Sequence, residues 1–428
     1  MLTSIHISNY KSIKNLDFSP KSINLFIGEN GAGKSNILEA ITMYFAARSN
    51  MLSNEFLLSR GIRPIDPLTT LSIFKNDDTE KNDSFGIFIS ENLGFYSGVD
   101  IKHDVDDPYK QLKADFFAAR PFDDNEMGSY SFSDKESHEQ IKKDLLNTFN
   151  LIQNNFGSLE NLDFFFHKEQ LENIKEKTPE KLEIYYDIRK RLYYLEEVQK
   201  AFDQLSNNKN TKENFIIFNP ETHILMGEKG SSYIQPLGIN GEGLFTLLKI
   251  MAKQEPDNFK DVIELATIFN WIENIEIIYE NNDIDIRITD RFMGTKISPQ
   301  NANEGFLFTL FYACLFCSNQ TPKVFAIENI DKSLNPRLCQ VLIKSLTEKA
   351  KKHKKQIFMS THNPAVLDGI DLLDDEQTIF VVERDMEGKT KLRELTEKNL
   401  PKPKRDGSKL HLSEAFLRGL LGGLPSNF

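Results

Sequence analysis

The residues with the clearest chemical consequence are Gly28, Glu29, Asn30, Gly31, Ala32, Gly33, Lys34 and Ser35, which satisfy the pattern G-x-x-x-x-G-K-S. Glycines at this spacing let successive backbone N–H groups curl around a phosphate at the positive end of a following helix. Lys34 would neutralise phosphate oxygens, and the Ser35 hydroxyl would coordinate Mg²⁺. The candidate phosphate-binding set is therefore Asn30, Gly31, Ala32, Gly33, Lys34, Ser35 and the adjoining Asn36. A purely structural turn would need neither Lys34 nor Ser35. Such a loop also wants a carboxylate at the end of a buried strand to hold the metal, and the run Val-Phe-Ala-Ile at 324–327 delivers Glu328. The next residue is Asn329, and an amide is a poor base. Asp331 has two readings: it polarises water, or it caps the helix that begins near Asn335. His362 lies at the end of the next apolar strand, where it can donate a hydrogen bond to a terminal phosphate. Upstream, Asn303, Glu304 and Gly305 precede a helix running into Cys317, so their N–H groups could meet an anion at that helix start.

These groups need a frame that brings them together. Alternating Ile5 and Ile7 and the run 23–27 read as strands, and 34–45 reads as the helix after the glycine loop. Short runs at 71–74 and 85–89, separated by Asn, Asp, Ser and Gly, predict antiparallel strands of an N-terminal β-lobe. Residues 137–214 turn to charged segments with apolar residues at helical spacing, including Ile141, Leu145, Thr148, Ile152, Ile184 and Ile188; they predict a helical insertion, either a cap on the core or an arm for a partner or DNA. A glycine-rich loop at 238–243 leads into a helix, 275–279 and 284–288 alternate as strands, and from Asn303 a helix, a strand, a helix and a strand follow in turn. The expected fold class is α/β, a P-loop NTPase with an antiparallel β-lobe and a helical insertion. The expected division is 1–135 for the N-terminal part with the P-loop, 136–214 for the insertion, 215–390 for the C-terminal part, and 391–428 for a tail. The segment 381–385 reads as the last strand of the core, and the apolar residues after Leu412 are expected to dock on the chain's own core.

Composition narrows the class. With 428 residues and 39% hydrophobic content the chain can build a proper core. The net charge of −11 argues against a surface coated in positive charge for nucleic acid. Two local basic groups stand out: Lys351, Lys352, Lys354 and Lys355, expected as a solvated helix end, and Lys402, Lys404, Arg405 and Lys409. No run of 18 apolar residues occurs and no leader pattern precedes Leu2, so the expectation is a soluble, cytoplasmic protein without membrane attachment. Cys314, Cys317 and Cys339 lie in apolar helical patterns and are expected as buried thiols, not as a disulfide or a metal set.

In order, the P-loop, the 303–305 loop, the Glu328 strand and His362 resemble the P-loop, signature, Walker B and switch histidine of the ABC ATPase superfamily. Within it, the opening Ile5-His6-Ile7-Ser8-Asn9-Tyr10-Lys11-Ser12-Ile13 and the segment from Glu328 to Pro336 resemble the SMC-like, RecF-like and OLD-like ATPases, where E-E-P-E-x-x-L-H-P is usual. The resemblance covers residues 1–45 and about 238–383. It implies an ABC/SMC-head fold, ATP and Mg²⁺ as ligands, and a homodimer in which Asn303, Glu304 and Gly305 of one subunit close over ATP held by the other, with higher assembly possible. Asn303, Asn329 and Asn335 depart from the usual serine, glutamate and histidine, so the implied hydrolysis is slow or conditional. The chain after residue 383 is too short for the TOPRIM nuclease domain that OLD-like proteins often carry, so any nuclease would be a separate effector protein. Stand-alone ATPases of this kind resemble those of bacterial anti-phage defence pairs. The alternatives are a RecF-like DNA repair clamp, the nucleotide-binding subunit of a transporter, and an ATP-binding scaffold without autonomous hydrolysis.

Overall fold

The computed structural model describes residues 1–63, 69–74, 83–92, 95–103, 112–122, 126–131, 147–152, 154, 188, 215–227, 235–280, 283–396, 398 and 411–423. Its centre is a six-stranded sheet in the order β15-β14-β3-β13-β12-β8. Here β3 is Ile23–Ile27, β8 Ile217–Phe218, β12 Val324–Ile327, β13 Gln356–Thr361, β14 Gln377–Arg384 and β15 Thr390–Leu395. All neighbours pair parallel except β14 with β15. A central parallel strand is covered on both faces and reads as continuous apolar sequence, and every residue of β3 and β13 is buried. Buried Asn24 of β3 is tolerated because its amide donates to Lys21 O at 2.8 Å and Ile357 O at 3.1 Å.

Helix α1 (Lys34–Arg48) leaves the glycine loop and packs between this sheet and a second, antiparallel one in the order β2-β1-β4-β5-β6-β7. Those strands are β1 Ser4–Tyr10, β2 Ile13–Phe18, β4 Ser84–Asn92, β5 Phe95–His103, β6 Leu112–Phe122 and β7 Glu126–Ser131. A short helix α2 (Asn54–Ser59) follows α1. The N-terminal β-lobe is thus present and runs on past residue 101 to Ser131. The strand expected at 71–74 does not form: Leu71 makes one bridge to Tyr10, while Ser72 donates from its N–H to Asn9 O and its hydroxyl sits between Lys11 O at 2.8 Å and Ile13 O at 2.7 Å. Those bonds tie the segment to the β1–β2 turn instead of to a ladder.

On the other face of the parallel sheet lie α3 (Thr222–Leu225), α4 (Leu244–Gln254), α5 (Pro256–Ala266), α6 (Glu304–Cys317) and α7 (Pro336–Lys352), with a three-stranded sheet of β9 (Ile272–Glu280), β10 (Asp283–Asp290) and β11 (Lys296–Ile297). Helix α6 is apolar all round and buried from Phe306 to Cys317, as a helix inside a core must be. Its Cys314 and Cys317, with Cys339 of α7, are buried free thiols, and burial pushes Cys317 and Cys339 up to about 12. Helix α7 is amphipathic, with Cys339, Leu342, Ile343, Leu346 and Ala350 inward.

Two further expectations change. Lys355 is fully buried, not solvated: its ammonium donates to Leu315 O at 2.9 Å and Ser318 O at 2.8 Å and so satisfies carbonyls at the C-terminus of α6. Lys351 and Lys352 stand in the last turn of α7 as expected, the second of them exposed, and pair with Asp374 and Asp261. The core does not end at 385 or 390, because β15 adds an antiparallel edge strand through Leu395; the boundary drawn at 391 cuts through it. The apolar tail docks on the chain's own core: α8 (Leu412–Leu417) buries Leu412, Ala415 and Phe416, and Leu421 follows. The insertion is helical at 147–152 and at 188, with Thr148, Ile152 and Ile188 buried; the rest of 136–214 and the basic group Lys402, Lys404, Arg405 and Lys409 lie outside the described residues.

Candidate nucleotide site

The P-loop, the Glu328 strand and His362 meet at the carboxyl ends of β3, β12 and β13, where the topology of an open parallel sheet places ligand crevices. Gly31 (φ +80°) and Gly33 (φ +113°) occupy left-handed backbone that a side chain would strain. Gly28 packs so close to β14 that a Cβ would fall 2.1 Å from Val382 O.

Lys34 is 6% exposed. Its ammonium donates to Gly28 O at 2.7 Å and Glu29 O at 2.9 Å, and lies 3.2 Å from His362 Nδ1. Burial pushes Lys34 down to about 8, against the opposing pull of Glu328, Glu29 and Asp331. Burial, then the neighbouring Lys34 charge, also lower His362, which keeps its imidazole neutral at pH 7. His362 Nδ1 lies 3.3 Å from Gly28 O, and the residue is exposed. The sequence-predicted Lys34 and His362 are therefore in contact.

The Ser35 hydroxyl donates to the Glu328 carboxylate. These are the two oxygen donors expected for a hard divalent cation, and they sit together across three strands of the sheet. A further buried oxygen lies just past the strand that pairs with β12. Asn219, at the end of β8, has its Oδ1 buried without a hydrogen-bond partner, and β8 pairs with the Glu328 strand so that Glu328 N–H donates to Phe218 O at 2.9 Å. Among the described residues no group of three or more His, Cys, Asp or Glu could hold a metal alone. The arrangement suits Mg²⁺ bound by one carboxylate, a hydroxyl and the phosphates it arrives with. Sequence reading missed Asn219 because two residues of strand give no periodicity; only the sheet order reveals it.

Asn329 adopts φ +54°, a left-handed conformation that Asn tolerates better than most residues, and its N–H donates to Ser360 Oγ at 3.1 Å. Asp331 does not cap the following helix. Asn335 does so itself, accepting from Leu338 N at 2.9 Å, which leaves Asp331 to accept from Thr361 Oγ1 at 2.6 Å beside His362.

Asn303 caps α6 with its own side chain, accepting from Phe306 N at 3.0 Å. Glu304 accepts from the hydroxyls of Ser333 and Thr222, which hold its carboxyl below the usual range. Gly305 abuts the same turn, with a Cβ position 3.4 Å from Ser333 O. Among the described residues no hydrogen bond or ion pair joins 303–305 to the P-loop of the same chain, so the structure brings together Lys34, Ser35, Glu328, Asp331 and His362 and leaves the 303–305 loop apart.

Residues 23–368 match the family described as "AAA domain, putative AbiEii toxin, Type IV TA system". The chain belongs to this AAA domain family. Membership covers the P-loop, the 303–305 loop, Glu328 and His362, and makes the chain a P-loop ATPase-type protein for which ATP is the expected nucleotide. The AAA domain is 25% identical over 323 residues to the "ATP/GTP phosphatase" of Helicobacter pylori, covering 67% of this chain and 84% of that one. It is 50% identical over 54 residues to the "DNA replication and repair protein RecF" of Enterococcus faecalis, but spans only 14% of that protein's length. Solved structures similar to it include an SMC head bound to the C-winged helix domain of ScpA (TM-score 0.46, 13% identity, 93% of this chain and 98% of that one) and the SMC head domain from Thermotoga maritima (TM-score 0.42, 12% identity, 92% and 98%). Among the described residues no helix of the AAA domain is long and apolar enough to cross a membrane.

Proposed function

We propose that this AAA domain is an ATP-binding, slowly hydrolysing switch whose two copies close on ATP and thereby control a separately encoded effector, in bacterial anti-phage defence. The observation that carries the nucleotide half is the contact of Ser35 with Glu328 beside the Lys34–His362 pair. In this reading Lys34 and the amides of 30–36 hold the phosphates, Ser35 and Glu328 hold Mg²⁺, and His362 donates to the terminal phosphate. Asp331, beside Thr361 and His362, is the base that Asn329 cannot be.

The dimer reading is supported by the separation of 303–305 from the chain's own P-loop: in this reading the start of α6 meets a phosphate held by another copy. The effector and defence reading draws on the family description, which includes a toxin of a TA system. A specific observation favours a second reading. The 50% identity over a 54-residue stretch to a replication and repair protein supports a DNA clamp, in which DNA would accelerate hydrolysis in a salt-sensitive way.

Sedimentation of Asp331→Asn, which keeps the metal ligands and removes the proposed base, with Mg·ATP, Mg·ADP and no nucleotide tests the switch. The proposal expects dimers with Mg·ATP alone. A monomer under all three conditions, with ATP bound, would remove the dimer.

A further inference from the structure

The carbonyl side of the phosphate loop is held by strands that sequence reading assigned to the end of the core and the tail. Arg384, the last residue of β14, donates from Nε to Gly31 O at 2.8 Å. Thr390, the first residue of β15, donates from Oγ1 to Ala32 O at 2.9 Å. The turn between them is closed by Arg384 Nη1, which donates to Gly388 O at 2.8 Å.

Thr390 is 1% exposed and lies directly against the back of the loop: a Cβ on Gly33 would come within 2.2 Å of Thr390 Oγ1. Its single hydroxyl proton goes to Ala32, so the Ser12 hydroxyl, 2.7 Å away, must donate to Thr390. Ser12 in turn accepts from Asn36 Nδ2 at 2.7 Å. A directed chain of hydrogen bonds therefore runs Asn36, Ser12, Thr390, Ala32 and ties the first turn of α1, the β1–β2 turn and β15 to one peptide plane. In a trans peptide the N–H points opposite the C=O. Fixing Ala32 O outward aims the Gly33 N–H into the loop, where a phosphate would sit.

We infer that Thr390, supported by Arg384, is a positioning residue for nucleotide binding, setting from behind the direction of the loop amide that meets phosphate. The inference rests on the nucleotide reading above. Leaving Ala32 O without its donor frees the peptide to turn, and that freedom must be removed again on each binding event.

The test measures affinity for a fluorescent ATP analogue and hydrogen exchange of the Gly33 amide in the full chain with Thr390→Val, Thr390→Ser and Arg384→Ala. Thr390→Val keeps the β-branched shape and loses the hydroxyl. It should bind roughly tenfold more weakly, about 1.4 kcal/mol, with faster Gly33 exchange, in a chain that still unfolds cooperatively at a somewhat lower melting midpoint. Thr390→Ser should restore affinity to within about twofold, because the hydroxyl returns. Arg384→Ala, on an exposed side chain, should weaken binding by roughly threefold, and it carries the test if Thr390→Val does not fold. Wild-type affinity in folded Thr390→Val or, failing that variant, in Arg384→Ala would overturn the inference, as would a Thr390→Ser variant as weak as valine. If the wild-type chain binds no analogue, the nucleotide reading falls instead. Gly33 exchange, which needs no ligand, then still decides whether Thr390 holds the loop.

Discussion

The Ser35 hydroxyl donates a hydrogen bond to the Glu328 carboxylate although 292 residues lie between them, because β3 and β12 flank β13 in one parallel sheet. This pair places a hydroxyl and a carboxylate where Mg²⁺ would join them to phosphate. Glu328→Gln should therefore lose most of the dependence of ATP affinity on Mg²⁺. Titration of a fluorescent ATP analogue with Mg²⁺ and with chelator measures this. The variant's two curves should nearly coincide where those of the wild type differ by roughly tenfold. Wild-type Mg²⁺ dependence in the variant would remove Glu328 from the metal.

Lys34 gives the site a pH dependence of known sign. Burial lowers it to about 8 in the free chain, and phosphate contact favours the charged form, so binding above pH 8 must take up a proton. Affinity should be flat below pH 7 and weaken as pH rises through 8, at up to about tenfold per unit. Dissociation constants at pH 7, 8 and 9 decide it, and a constant value across that range would contradict a lysine held near 8.

Asp331 and Asn329 make opposite predictions about the base. Asp331→Asn keeps the bond from Thr361 and should lower kcat by roughly a hundredfold with KM little changed. Asn329→Ala removes only an amide and should alter kcat by no more than about threefold, apart from the strain of φ +54° on a non-Asn residue. Single-turnover hydrolysis by both variants separates them. Loss of turnover in Asn329→Ala with full turnover in Asp331→Asn would reverse the assignment.

Away from the site, Asp261 is a buried carboxylate between α5 and α7, touched by Lys349 at 2.9 Å, Lys352 at 2.7 Å and His353 at 2.8 Å. Burial raises its pKa, but the three donors outweigh burial and hold it at about 2. An Asp whose folded value lies below its unfolded one stabilises above pH about 4 and loses that stability as pH falls from about 4 to about 2. Asp261→Asn leaves Lys349 with Glu264 at 2.5 Å as its remaining carboxylate and should cost about 1–2 kcal/mol at pH 7. Urea midpoints at pH 7 and pH 3 check both statements: the gap between wild type and variant should shrink at pH 3. An equal gap at both values would contradict the pairing.

How far these groups could be read in the sequence depends on what kind of signal each carries. The P-loop was legible because glycine, lysine and serine serve local geometry and local chemistry at fixed spacing. Glu328 and His362 were legible because each ends an apolar run, and a buried parallel strand has no polar alternation to hide its end. Other features could not be read because they depend on pairing across the chain. Lys355 looks like one more lysine of a basic run, yet its ammonium closes the carbonyl end of α6, 38 residues from Cys317 along the chain. Thr390 looked like the edge of a tail, since β15 is half exposed and its strand character comes from pairing with β14. Asn219 carries no motif, and the opening segment that contains Ser12 does not show what its hydroxyl touches; sheet order brings the first to the Glu328 strand, and a turn sets the second behind the phosphate loop.

Phosphate release by the purified chain with Mg·ATP, with and without DNA, measured beside Lys34→Ala, tests the central claim most directly. The account predicts slow release that Lys34→Ala abolishes, because the lysine is the cation that would meet the phosphates. Acceleration by DNA would move the reading from effector control to the DNA clamp. Release equal in wild type and Lys34→Ala, or none from wild type with nucleotide bound, would contradict a hydrolysing switch and leave ATP as a ligand only.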